Sequence, residues 1–127
     1  MAHALKSRPR VFKTAWFAKA AKKANIADSE LCACIEAAAL GQVDDLGGGV
    51  FKIRMNKNMH RAILLAKAGQ WWVFEYLFAK NVRENIAKDE LLQFRELVKA
   101  CSTLNEKQVQ QLIDGNDFLE ICHGDED

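Results

Sequence analysis

The run Val50, Phe51, Lys52, Ile53, Arg54, Met55 alternates strictly between apolar and basic or large residues, and two more segments of high β-propensity follow it across short turns. Nothing else in the chain limits the fold as much. The alternation puts Phe51, Ile53 and Met55 on one side of a sheet and Lys52, Arg54 and Asn56 on the other. Asn56, Lys57 and Asn58 supply turn chemistry, Arg61 to Lys67 reads as a second strand, and Ala68-Gly69-Gln70 turns again into a third strand from Trp71 to Phe78. Connections this short join only antiparallel neighbours, so the three strands are predicted to form a meander. Trp71 and Trp72 then point to opposite faces, and Phe78 is expected in the core.

The flanking segments change period. Val11 to Phe17 is rich in β-branched and aromatic residues and reads as a short strand, after which Phe17 to Ala24 turns helical with a stripe of Lys19, Lys22 and Lys23. Asp28 and Ser29 are placed to cap a second helix, whose Leu31, Ile35, Ala38 and Ala39 stripe closes near Leu40-Gly41. Leu46 to Gly49 lacks the following Lys-Ser/Thr that a phosphate cradle needs and reads as a turn into the strand. Beyond the sheet, Ile86, Leu91, Leu92, Phe94, Leu97, Val98 and Cys101 recur at helical spacing from Arg83 to about Leu104, and Asn105 with Gln108 caps a last helix that runs to Gly115. The predicted order is β-α-α-β-β-β-α-α, an α+β fold with a small antiparallel sheet packed on N-terminal helices. Residues 1–104 are expected to form the main domain and 105–127 a helical extension with an acidic tail.

With 127 residues, half of them hydrophobic, the chain has room for one domain and can bury a core without metal or disulfide help. Composition therefore excludes disorder. No apolar run approaches the roughly 20 residues of a membrane span, and the basic N-terminus is not followed by an apolar stretch, so no membrane segment or signal peptide is predicted and a cytoplasmic location is expected. Cys32, Cys34, Cys101 and Cys122 lack C-x-x-C spacing and read as free thiols of a reducing compartment.

A formal net charge of +1 hides a strong segregation. Residues 1–23 carry seven Lys/Arg and no acid, 24–49 five acids and no Lys/Arg, 50–83 seven Lys/Arg against Glu75 alone, and 84–127 four bases against eleven acids. A basic body favours a polyanionic partner, because clustered Lys/Arg release counterions condensed on phosphates. No Lys/Arg-Gly-Phe pattern of an RNA-recognition module accompanies it, which weakens a stand-alone RNA-binding domain.

Phe12 to Lys19, Asp45 to Arg54, and above all Phe78-Ala79-Lys80-Asn81 with Asn85-Ile86 and Asp89-Glu90-Leu91 resemble, in order, the HigB-like branch of the RelE/ParE toxins over about residues 10–100. The resemblance implies a bacterial, cytoplasmic toxin of a type II toxin-antitoxin system, with a curved antiparallel sheet and a cognate antitoxin as partner. It implies an endoribonuclease that cuts mRNA on the ribosome and inhibits translation. ParE-like relatives on this fold poison DNA gyrase instead, so the alternative is a non-nuclease toxin acting through gyrase, or through antitoxin binding and transcriptional autoregulation.

Cleaving RNA without a metal needs a base for the ribose 2′-OH, positive charge for the phosphorane and an acid for the leaving 5′ oxygen. His3, His60 and His123 are too scattered for metal-ligand spacing, and no metal or cofactor is expected. Lys52 and Arg54 project from one strand and Arg61 begins its neighbour, so a short hairpin would bring all three to one face. By the resemblance, Arg61 stabilises the transition state, Arg54 holds phosphate, and Lys80 is a phosphate ligand or proton donor. Lys13, Lys57, His60 and Lys67 are the expected RNA contacts. A lysine base needs neighbouring positive charge to shed its proton, whereas a histidine does not, and the choice among Lys52, Lys57 and His60 stays open. Three departures from the family pattern stand out: the basic Gly/Ser-rich loop between the strands of Arg54 and Arg61 is cut to residues 56–60, Leu77 replaces a glycine, and residues 101–127 extend beyond the resembling region with four acids among the last eight residues. The short loop favours the non-nuclease alternative.

Overall fold

A computed structural model describes residues 9–67 and 70–123. Along the chain these form β1 (Arg10–Thr14), α1 (Ala15–Lys23), α2 (Asp28–Ala39), β2 (Asp44–Gly47), β3 (Val50–Met55), β4 (His60–Lys67), β5 (Trp71–Ala79), α3 (Lys88–Ser102), α4 (Glu106–Asp114) and β6 (Phe118–Ile121). The α+β class and the β3-β4-β5 antiparallel meander are as predicted. The sheet is larger and mixed, however, with strand order β2-β3-β4-β5-β1-β6 and β1 parallel to β5.

β4 is central and buried on both faces from Ala62 to Ala66, which explains its unbroken apolar run. Its Ala62 and Leu64 join β3's Ile53 and Met55, β5's Phe74 and the helical residues Phe17, Leu31, Ile35 and Ala38 in one core. Its odd-numbered residues Ile63 and Leu65 join Phe12, Val50, Val73 and Phe78 in a second core covered by Leu91, Phe94 and Val98 of α3 and by Val109 and Ile113 of α4. Thus α1 and α2 cover one face of the sheet, and α3 and α4 the other. Trp71 and Trp72 do part to opposite faces, and Phe78 is buried.

Several boundaries differ from the sequence reading, each for a local reason. β1 stops at Thr14 because the Thr14 hydroxyl oxygen accepts the Phe17 N–H at 3.1 Å and starts α1 two residues early, which makes Trp16 helical. α2 begins at Asp28 after Ala27, with no side-chain cap, and Asp28 is spent instead on an ion pair with Lys13 at 2.7 Å. α3 begins at Lys88 rather than Arg83, because Glu90 turns back to accept the Ala87 N–H. Asn105 and Gln108 form the expected capping box of α4. The Leu46 to Gly49 break is a hairpin between β2 and β3, and a Cβ on Gly49 would lie 2.8 Å from the Ala66 carbonyl oxygen.

The segment after Leu104 supplies α4 and then β6, which pairs antiparallel with β1; the last four acidic-tail residues, 124–127, lie outside the described residues. Arg10 and Glu120 clamp this pairing at 2.8 and 2.9 Å, and the guanidinium holds the Glu120 carboxyl below the usual carboxylate range. Immediately beyond, Cys122 is joined to Cys32 of α2, so these two are not the free thiols expected; Cys34 and Cys101 are free. Among the described residues no helix is long and apolar enough to cross a membrane.

A register shift between Ile63 and Leu64 leaves Glu75 as the extra residue of β5. Burial pushes its carboxyl up to about 7. Its neutral form is therefore the one the fold prefers, so its stabilising contribution is complete below about pH 4.5 and disappears as pH rises through about 7. Glu75→Gln should flatten the pH dependence of urea unfolding over this range and raise stability at pH 8 by about 1–2 kcal/mol, a figure reduced for the group's partial exposure. The disulfide spans 90 residues of sequence, and replacing both partners, Cys32→Ser with Cys122→Ser, should cost about 2–4 kcal/mol in the same assay under oxidising conditions.

Candidate functional site

The hairpin register sets Arg54 of β3 directly opposite Arg61 of β4, and Arg61 directly opposite Phe78 of β5. Alternation carries Lys52, Arg54 and Arg61 to the α3 side, the face of Val50, Ile63 and Phe78. Lys52, Arg54 and Arg61 are thus brought onto one face, as the sequence predicts. The Lys52 side chain is 15% exposed and lies 4.0 Å from Asp44. Arg54 is exposed and, among the described residues, has no carboxylate partner. Arg61 Nη1 donates to the carbonyls of Asn58 and His60, both at 3.1 Å, so its guanidinium is held against the turn.

That turn is tight and strained. Asn56, Lys57 and Asn58 all have φ between 54° and 69°, a left-handed run that asparagine tolerates and lysine resists. The surroundings enforce it: the Met59 N–H donates to the Asn56 carbonyl at 3.0 Å, the Lys80 N–H to the Met59 carbonyl at 2.9 Å, and the Asn56 N–H to the Glu30 carboxylate. Lys57 is exposed at the tip, and Lys80 sits beside the turn. His60 pairs with Met55 of β3 and belongs to the opposite face from Arg61, where Asn56 Nδ2 lies 3.1 Å from its Nδ1. It does not project with the arginines.

Two of the expected RNA contacts lie elsewhere. Lys67 is at the far end of β4, six residues or roughly 20 Å from Arg61. Lys13 is on the α1/α2 face, paired with Asp28. Conversely, a residue not singled out from sequence joins the row: the Arg83 guanidinium lies over the Phe78 ring at 5.6 Å, within 3.4 Å of the Tyr76 hydroxyl, and bonded twice to Glu90. Arg83 in turn holds the Glu90 carboxyl below its usual range. Read as the start of a helix, Arg83 carried no signal of this position; only the loop of residues 80–87 folds it back over β5.

Two arginines facing each other across a strand pair repel, and no acid in the row offsets Arg54 and Arg61. The arrangement suits a phosphodiester. Paired guanidiniums match phosphate oxygens in fork geometry and would stabilise the extra charge of a pentacovalent intermediate. Among the described residues, no three His, Cys, Asp or Glu side chains converge closely enough to hold a metal ion.

A family model described as the RelE toxin of the RelE / RelB toxin-antitoxin system matches residues 9–121. No curated protein and no solved structure matches the chain.

The unrelieved repulsion is measurable. Arg54→Gln should leave the protein as stable or more stable by about 0.2–1 kcal/mol in urea unfolding. Added phosphate should raise the melting temperature of the wild type by more than that of Arg54→Gln, since only the wild type holds both guanidiniums. Equal responses would mean that the pair does not bind phosphate.

Proposed function

The chain belongs to the RelE toxin family of toxin-antitoxin systems, and from that membership we propose that it is an endoribonuclease that cuts mRNA on the ribosome and so inhibits translation. A cognate antitoxin is the partner that the family implies; ribosome and mRNA are the targets of the proposal, and the bacterial cytoplasm is where it acts. The segments around Phe78 to Asn81 and Asp89 to Leu91 put it, in our reading, near the HigB-like branch.

The observation that carries the proposal is the Arg54–Arg61 cross-strand pair. A phosphodiester laid on that pair meets positive charge on two strands. Attack by the adjacent 2′-oxygen on phosphorus gives a phosphorane whose added charge the Arg61 guanidinium stabilises while Arg54 holds a non-bridging oxygen. Departure of the 5′ oxygen leaves a 2′,3′-cyclic phosphate and a 5′-hydroxyl end. Lys52, on the same face two residues from Arg54, is the best-placed base for the 2′-OH. Lys80, beside the turn, is assigned to the leaving oxygen or the next phosphate. Lys57 and His60 contact flanking RNA at that end of the sheet, Lys67 is left to a more distant phosphate, and Lys13, committed to Asp28, is given none.

A second reading, a non-nuclease toxin of this fold, draws on the turn. Asn56 to Met59 closes on itself by a single hydrogen bond, leaving no extended basic loop, and Asp44 competes for Lys52. Mapping 5′ ends of a defined mRNA on programmed ribosomes distinguishes the two. Cuts should appear only with ribosomes, and fall by about 100-fold or more in Arg61→Ala, the scale of losing one preorganised charge-stabilising donor. A folded, antitoxin-free protein that makes no cuts would overturn the nuclease reading in favour of the second.

A further inference from the structure

Apart from His60, the groove between α1 and the free edge of β5 has no role in the chemistry above. β1 pairs with β5 only as far as Phe74, so the outer edge of Tyr76 to Ala79 faces α1 across an open groove of about 530 Å3. Trp16, Lys19 and Lys23 line it from one helix face, at spacings of three and four residues, and His60 lines it from β4. A smaller groove of about 220 Å3 continues past His60 to Lys57 and Lys80. No acidic residue lines either groove, and none of the four lysines has a carboxylate partner among the described residues. Trp16 is 52% exposed, an uncommon state for a tryptophan, yet it is not loose. Its ring stacks on Tyr76 at 5.2 Å and 26°, and Tyr76 packs on Phe78, the residue opposite Arg61.

We propose that this groove is a second nucleic-acid site, in which an unpaired base of single-stranded RNA stacks on the outer face of Trp16 while Lys19 and Lys23 hold the flanking phosphates. The inference rests on the reading of the protein as an RNA-directed toxin and adds the path of the strand beyond the Arg54–Arg61 pair. A rigid aromatic surface ringed only by lysines is how single strands are held without sequence readout: every base offers a π-face, and the backbone follows the positive charge. The ordering cost is low, because Tyr76 already fixes one face of the indole. An acidic protein segment would also satisfy the lysines and pack a side chain on the tryptophan; RNA is favoured because every nucleotide carries both a flat π-face and a backbone charge. Phe78 links the two sites: the Trp16–Tyr76–Phe78 aromatic chain spans from α1 to the arginine row, so one strand can occupy both.

Fluorescence anisotropy of a labelled single-stranded RNA oligonucleotide on the full chain tests this, with heparin as a base-free polyanion and poly-glutamate as an acidic-peptide competitor. Trp16→Ala should weaken RNA binding by about 5- to 150-fold, the range for losing one stacked base, and leave heparin binding unchanged. Trp16→Phe, which keeps a π-face, should retain most of the affinity and guards against a folding artefact. Lys19→Gln with Lys23→Gln should weaken both polyanions and lower the salt slope for RNA by about 1.4, two phosphates on a single strand. RNA affinity that survives Trp16→Ala and the lysine pair but falls in Arg54→Gln with Arg61→Gln would overturn the groove and keep the nuclease reading. No RNA binding by any form would overturn the groove, while the nuclease reading stands or falls on the ribosome cleavage assay. Equal loss of heparin and RNA in Trp16→Ala, or displacement of RNA by poly-glutamate at equal charge, would overturn base stacking and assign the groove to an acidic protein segment.

Discussion

The register of β4 between β3 and β5 is the constraint on which the rest depends. Ala62 to Ala66 are buried on both faces, so β4 cannot slip by one residue without exchanging the contents of two cores. The same register that puts Ile63 and Leu65 under α3 puts Arg61 opposite Arg54. A pair of facing arginines would not persist in a freely chosen alignment, because like charges across a strand pair oppose it. Here the apolar burial of five consecutive residues outweighs that repulsion by several kcal/mol. Charge concentration at the candidate site is thus maintained by hydrophobic packing further along the same strand.

The far edge of the sheet is built differently. β1 reaches its place parallel to β5 only after five intervening elements, and β6 reaches β1 from more than 100 residues away in sequence. Such long-range pairings carry a loop-closure cost that pairing of neighbouring strands avoids. They are secured by interactions of matching range: the Arg10–Glu120 ion pair, the Phe12–Phe118 ring contact and the Cys32–Cys122 link to α2. Oxidation state bears on this edge directly, since the covalent link operates only where the surroundings permit it.

Pairing decides which of the many basic residues matter. Arg10, Lys13 and Arg83 are each committed to a carboxylate, and Lys52 lies within reach of Asp44. Among the basic residues without a carboxylate partner, six gather at one end of the sheet: Arg54 and Arg61 on one face, Lys57 and Lys80 by the turn, Lys19 and Lys23 on α1. A phosphate backbone running around that end would meet positive charge throughout, with aromatic rings between.

Local pattern was enough for the meander, for the opposed directions of Trp71 and Trp72, for the Asn105–Gln108 cap and for the shared face of Lys52, Arg54 and Arg61. Each of these depends on residues within one strand, one turn or one hairpin, where a period of two or a spacing of three is itself the geometry. Other features had no such signal. Strand β6 is four residues long and gains its pairing from β1, the disulfide joins an α2 residue to the chain end, and β1 lies parallel to β5 because both cores must be covered. The site divides the same way. Sequence placed Arg54 and Arg61 together but set Lys67 and Lys13 beside them by charge alone, whereas strand length puts Lys67 at the far end and an acid on α2 takes Lys13. Arg83 over Phe78 and Trp16 on Tyr76 were decided by tertiary structure, because a chain's charge and aromatic content are local properties while the ring or carboxylate each side chain meets is set by elements distant in sequence.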